Sequence, residues 1–128
     1  MNIRQLFFVG ASILASTAGG VTQERQEQYV QTAEIEIDPS QLDAYKAAVS
    51  EHAETAIRKE PGVLVLYAVS EKNNPTSIRV FEVYANAEAY RAHLEAPHFK
   101  KYKAVTEKMV KSLKLVQTTP IALAAKAR

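Results

Sequence analysis

Residues 60–103 read EPGVLVLYAVSEKNNPTSIRVFEVYANAEAYRAHLEAPHFKKYK, and this stretch limits the possible folds more than any other. Pro61 cannot continue a helix, and Gly62 can adopt the left-handed conformation that closes helix ends. Residues 63–69 are then apolar at successive positions, so a strand here must be covered on both faces. In a small domain one cover is the chain's own helices. The other is most economically a second copy of the chain, so a homodimer is expected. A polar turn at residues 71–75 leads into a second strand over residues 76–84. Its alternation puts Ile78, Val80, Glu82 and Tyr84 on one face and Arg79, Phe81 and Val83 on the other.

The flanking segments complete a pattern. Residues 29–37 alternate, with Ala33, Ile35 and Ile37 opposite Thr32, Glu34 and Glu36, which is the signature of a strand with one wet face. Asp38 can cap a helix, Pro39 suits its first position, and Gln41 occupies the capping-box position. That helix is expected to reach Lys59, with Leu42, Tyr45, Val49, His52, Ala53, Ala56 and Ile57 as its apolar stripe. Asn86 caps a short helix in which Ala87, Tyr90 and Leu94 face inward and His93 lies at the edge of the stripe. Pro97 opens a further helix with Phe99, Tyr102, Thr106, Met109 and Leu113 in register, and residues 113–119 read as a last strand. Strand, helix, strand, strand, helix in two pieces, strand is the α+β, ferredoxin-like split βαβ order: an antiparallel sheet with helices on one face.

The N-terminus reads differently. Arg4, the apolar run LFFVGASILA and the small residues Ser16-Thr17-Ala18 make residues 1–20 a signal peptide, too short in its apolar part for the roughly 20 residues of a membrane span. Cleavage would leave an exported chain, periplasmic or secreted, with no membrane attachment. Residues 21–28 form a flexible arm, residues 29–120 the domain and residues 121–128 a tail. The chain of 128 residues has room for one such core and not two.

Charge and cysteine usage narrow the chemistry. A net charge of +2, with basic residues interleaved with Glu, does not mark a nucleic-acid partner. The absence of Cys removes disulfides, thiolate nucleophiles and acyl anchors. His52, His93 and His98 lack the spacing of a helical zinc motif, so no metal is expected. No glycine-rich dinucleotide fingerprint or haem-attachment pair occurs, so no cofactor is expected either.

Three residues stand out as candidate catalytic groups: His52, His93 and Glu82. Glu82 sits among apolar neighbours, where a carboxylate must be paired, hydrogen-bonded or protonated. It reads either as a structural partner or as a base or orienter of a His base. His52 on the inner helix stripe is equally at home as a satisfied core residue, although imidazole suits proton transfer near neutral pH. His98, just inside a helix start, reads mainly as capping or surface structure. Tyr67, Tyr84, Tyr90, Phe99 and Tyr102 are candidate substrate-binding residues for a flat aromatic ligand, and as ordinary core they are explained as well. Arg79 is expected to pair with Glu36 or with the partner copy.

Glu60-Pro61-Gly62, the apolar strand, Phe81-Glu82-Val83-Tyr84, Ala89-Tyr90-Arg91-Ala92-His93-Leu94 and Pro97-His98-Phe99 together resemble the antibiotic biosynthesis monooxygenase (ABM) domain family, in particular its small quinol monooxygenase-like branch. The resemblance spans residues 31–119. It departs at Val63, where Cys is frequent, at Tyr84, where Trp is frequent, and at Leu66, where Tyr is usual and here falls on Tyr67. What the resemblance implies is a dimeric α+β barrel with a pocket between helices and sheet in each subunit. It also implies a cofactor-independent monooxygenase that oxidises a small electron-rich phenol or hydroquinone with O2. It equally allows a proton-transfer enzyme or isomerase acting on a small carbonyl compound, and a non-catalytic ligand-binding, stress-related dimer.

Overall fold

A computed structural model describes residues 27–127. The expected signal peptide and most of the arm lie outside the described residues. Strand β1 (Tyr29–Ile37) leads through a single 3-10 turn into helix α1 (Leu42–Lys59). A hairpin of β2 (Val63–Glu71) and β3 (Asn74–Tyr84) follows, then the short helices α2 (Ala87–Glu95) and α3 (Pro97–Thr106), and finally β4 (Val110–Thr118). The four strands form one antiparallel sheet in the order β2-β3-β1-β4, the ferredoxin-like arrangement. No helix among the described residues is long and apolar enough to cross a membrane.

Alternation along β1 decides which face is covered. Gln31, Ala33, Ile35 and Ile37 are buried under the helices, and the residues between them are half-buried on the other face. Ile78, Val80, Glu82 and Tyr84 of β3 join them. Tyr45 and Val49 descend from α1 to close this core, and the Tyr45 hydroxyl shares a 2.7 Å hydrogen bond with that of Tyr102. Each large side chain fully buried in this way contributes roughly 1.5–3 kcal/mol. Among the described residues no layer covers the opposite face of the sheet: Tyr67, Val69 and Phe81 are about half exposed there.

Both expected caps form. The Asp38 carboxylate accepts from the Ser40 amide at 2.9 Å, and Asn86 Oδ1 accepts from the Ala89 amide at 2.8 Å. Gln41 makes no side-chain cap, because the 3-10 turn displaces the α-helical start by three residues. The third helix stops at Thr106, whose hydroxyl bonds back to the Tyr102 carbonyl at 2.8 Å. Met109 and Leu113 therefore fall outside the helix, and the last strand begins earlier than the apolar spacing suggests. Arg79 pairs with Glu71 at 3.3 Å instead of Glu36, since its strand neighbour across the hairpin lies closer. The tail residues 119–127 have no helix or strand.

Gly62 does not take the expected left-handed conformation, as no described glycine has positive φ. Its role is close approach. A Cβ on Gly62 would lie 2.6 Å from Ala89 Cβ, so the turn after α1 rests directly on α2. The Ala85 amide donates to the Gly62 carbonyl at 2.9 Å and holds this contact from the other side. Gly62→Ala is therefore expected to destabilise the fold by about 1–3 kcal/mol through overpacking. Adding Ala89→Gly should recover part of that loss in denaturant melts, whereas a purely conformational glycine would gain nothing from the second change.

Candidate functional site

Between the covered face of the sheet and the helices lies a cavity of about 110 Å³. Ala33, Ile35, Val80 and Leu66 supply its apolar sheet side, and Val49 and Ala53 of α1 its helix side. Tyr90, Phe99 and Tyr102 add aromatic walls, and Gln31, His52, Glu82, His93 and Thr106 are its buried polar members. Leu113 and Leu115 of β4 also line it yet remain 44% and 52% exposed, so the cavity opens toward that strand.

The structure thus brings together six of the eight residues singled out in the sequence: His52, His93, Glu82, Tyr90, Phe99 and Tyr102. Two belong elsewhere. Tyr67 pairs across the hairpin with Phe81 and points to the uncovered sheet face, 58% exposed, while its neighbour Leu66 takes the cavity position. The reason is the two-residue period of a strand: adjacent residues cannot share a face. Tyr84 is on the correct face but fully buried beside the cavity, packed with Ala56 and Val63.

Glu82 is satisfied by its own neighbourhood. The Tyr84 hydroxyl donates to Glu82 Oε1 at 2.6 Å, and Gln31 Nε2 donates to the same oxygen at 3.3 Å. Burial raises the Glu82 pKa, and the Tyr84 and Gln31 hydrogen bonds and the nearby His93 oppose that rise. The Tyr84 hydroxyl is in turn held protonated, by burial first and then by the Glu82 charge. Glu82 is thus a buried carboxylate with tyrosine and amide partners, and not the hydrogen-bond partner of an imidazole.

The carboxylate that meets the imidazoles is Glu60. Its Oε2 is 2.8 Å from His93 Nδ1 and also bonds His98 Nε2. His93 is 2% exposed, the most enclosed residue of α2, and not at the edge of its stripe. His98 likewise turns inward and does not cap or decorate the surface. Glu60 enters through the helix end that precedes Pro61: the residue before a proline is extended, and here φ −111° and ψ 106° point it across toward α2 and α3. The sequence signal for Glu60 was its place in the same Glu-Pro-Gly motif, which marks a helix end and says nothing of where the side chain goes.

His52 completes the group. It stacks on Tyr102, with ring centres 4.7 Å apart and planes 17° from parallel. Its Nδ1 is buried with no hydrogen-bond partner among the described residues. Burial, then His93 and His98, push its pKa down to about 4, against a backbone contact at His98 and the Glu60 charge. An unpartnered polar atom in the interior is costly, on the order of 1–3 kcal/mol, and this one belongs to a residue that lines the cavity.

The raised Glu82 pKa has a definite sign in stability. The folded protein holds this proton more tightly than the unfolded chain, so the contribution is complete below the unfolded value and is lost as pH rises through the folded one. Glu82→Gln removes that slope. Its melting temperature relative to wild type should climb as pH is raised from the usual Glu value of 4.5 toward neutrality. Tyr84→Phe should act oppositely, costing about 1–3 kcal/mol by leaving the buried carboxylate short of its nearest donor. Parallel melting curves for the three proteins across this range check both; a difference independent of pH for Glu82→Gln would contradict the reading.

No curated protein matches the chain. Among solved structures, a Bacteroides thetaiotaomicron protein provisionally assigned as an antibiotic biosynthesis monooxygenase is 44% identical, with 80% of this chain and 97% of that one aligned at TM-score 0.76. A Lactobacillus acidophilus protein provisionally assigned as a monooxygenase is 29% identical at TM-score 0.70, over 72% of this chain but only 44% of that longer one. A Nitrosomonas europaea protein at 22% identity and TM-score 0.70, covering 75% and 92% of the two chains, shares the fold. The similarities support a monooxygenase-like function. The sequence profile of the family described as antibiotic biosynthesis monooxygenase matches residues 28–105, and with the Bacteroides relative this shows that the chain belongs to that family.

Proposed function

We propose that the protein is an exported monooxygenase that oxidises a small electron-rich phenol or hydroquinone with O2. The observation that carries this reading is His52, whose imidazole has a buried ring nitrogen without a hydrogen-bond partner among the described residues and which is one of the residues lining an apolar, aromatic-walled cavity. At about 110 Å³ the space resembles in scale the apolar cavity of about 150 Å³ that takes up benzene. A single aromatic ring therefore fits, stacked among Tyr90, Phe99 and Tyr102, with its hydroxyl toward His52.

The residues divide the work as follows. The His52 imidazole accepts the phenolic proton, and the resulting anion stays close to the imidazolium it has created. The anion passes one electron to O2, giving a phenoxyl radical and superoxide held in the same enclosure. Their combination at an open ring carbon forms a carbon–oxygen bond. Loss of that carbon's hydrogen and cleavage of the O–O bond yield a quinone and water, so one oxygen atom enters the product and the other leaves reduced. Gln31, anchored by Glu82, supplies an amide at the cavity wall, and the apolar lining excludes water from the radical pair.

The same reading includes a homodimer. Tyr67, Val69 and Phe81 form an exposed apolar patch on the sheet face that no element among the described residues covers. A second identical sheet, packed about 10 Å away, is self-complementary to it.

Two measurements test the proposal. Purified protein should consume O2 stoichiometrically with one or more members of a hydroquinone and phenol panel, and His52→Ala should lower kcat by about 10²–10⁴-fold with its circular dichroism unchanged. Undiminished turnover in a folded His52→Ala variant would sink the mechanism. In light scattering, wild type should run as a dimer and Phe81→Lys as a monomer; a monomeric wild type would rule out the assembly.

A further inference from the structure

Glu60, His93 and His98 form a cluster that the reaction above does not draw on. We propose that these three side chains bind a divalent transition-metal ion, with a Glu60 carboxylate oxygen, His93 Nδ1 and His98 Nε2 as its ligands. The three donor atoms lie within 4.8 Å of one another. Two imidazoles and a carboxylate form a donor set that suits zinc, iron(II), cobalt(II) or nickel(II), and is poorly matched to magnesium or calcium. Three protein ligands also leave a position open for water or another small ligand, as in reactive rather than purely structural sites.

Burial and rigidity strengthen the case. The side chains of His93, His98 and Glu60 are 2%, 13% and 16% exposed, so this is not a chance meeting of surface groups. Each ligand comes from a different anchored point: the end of α1, the last turn of α2 and the first turn of α3. The Gly62–Ala89 contact fixes the first of these against the second. Both imidazoles now converge on a single carboxylate oxygen, each sharing a proton with it. An ion entering there takes the place of the shared protons, and each ring ligates it as the tautomer that carries its single N–H on the other nitrogen. No charge need be created in the dry interior beyond that of the ion and its carboxylate.

His52 is the second, independent observation. It is 6% exposed with an unpartnered Nδ1, and its ring centre is 5.1 Å from that of His93 and 5.7 Å from that of His98. Imidazoles sharing one tetrahedral zinc at Zn–N of about 2.0–2.1 Å have ring centres roughly 5 Å apart. His52 stands outside the three-atom set, its ring beside those of His93 and His98 and one of its nitrogens buried without a partner among the described residues.

The inference does not depend on the reaction proposed above, because its test reads ion binding and not turnover. The full chain, stripped with a chelator, is titrated with Zn2+ by calorimetry and with Co2+ by visible absorption. One equivalent of either should bind, raise the melting temperature and, for Co2+, produce a d–d band. Glu60→Gln and His98→Ala should each weaken binding by at least about 100-fold, beyond what loss of an outer-shell partner costs. Glu82→Gln leaves the ligands in place and should bind as wild type does. Because a ligand variant can lose its fold, the wild-type imidazoles are also followed by nitrogen NMR. Zn2+ should shift His93 Nδ1 and His98 Nε2. Absence of uptake by wild type, uptake that survives in both folded ligand variants, or unchanged resonances at those two nitrogens would each overturn the proposal.

Discussion

One oxygen of the Glu60 carboxylate holds the helical layer of this protein in register. The Glu60 side chain leaves the end of α1, receives His93 from α2 and His98 from α3, and does so in a setting where water contributes little. Hydrogen bonds to a charged group are roughly twice as strong as neutral ones, and a buried group left without its partner is penalised in full. The break between α2 and α3 follows from the same demand. Ala96 is extended, with ψ 141°, and this bend lets two short helices present two imidazoles to one point, which a continuous helix could not do with residues five apart.

A second polar arrangement lies deeper, against the sheet. Glu82, Tyr84 and Gln31 come from adjacent antiparallel strands and satisfy each other on the covered face. Strand pairing delivers this geometry almost automatically: Gln31 is directly across from Glu82, and Tyr84 is one period further along on the same face. The two clusters bracket the cavity, one on its helix side and one on its sheet side. Both are largely enclosed, both are built around a carboxylate, and between them His52 has a fully buried ring nitrogen with no hydrogen-bond partner among the described residues. The chain belongs to the antibiotic biosynthesis monooxygenase family, and its buried polar groups are sorted so that most are satisfied by one another.

The sheet also separates two tasks by parity. Along β2, Leu66 and Ala68 face the cavity while Tyr67 and Val69 face the open side; along β3, Val80 and Glu82 face inward while Phe81 faces out. One apolar strand thus serves the interior and an exterior apolar patch with alternate residues. That is why the strand reads as continuously apolar although, among the described residues, only one of its faces is covered.

Much of this was written locally. The alternation of residues 29–37 gave β1 its bounds, Asp38 and Asn86 announced their caps, and the order of elements specified the ferredoxin-like sheet, because each of these depends on neighbours a few positions away. The parity rule was enough to put Tyr67 on the far face, and its aromatic character was a weaker guide than its position. Tertiary structure alone decided which carboxylate meets which imidazole. Glu60 is 33 and 38 positions from His93 and His98, and no periodicity links a helix end to side chains on two later helices. Their meeting depends on the angle at which the helices cross the sheet and on a glycine that lets one backbone touch the next. Those are properties of packing in three dimensions, and a one-dimensional pattern does not carry them.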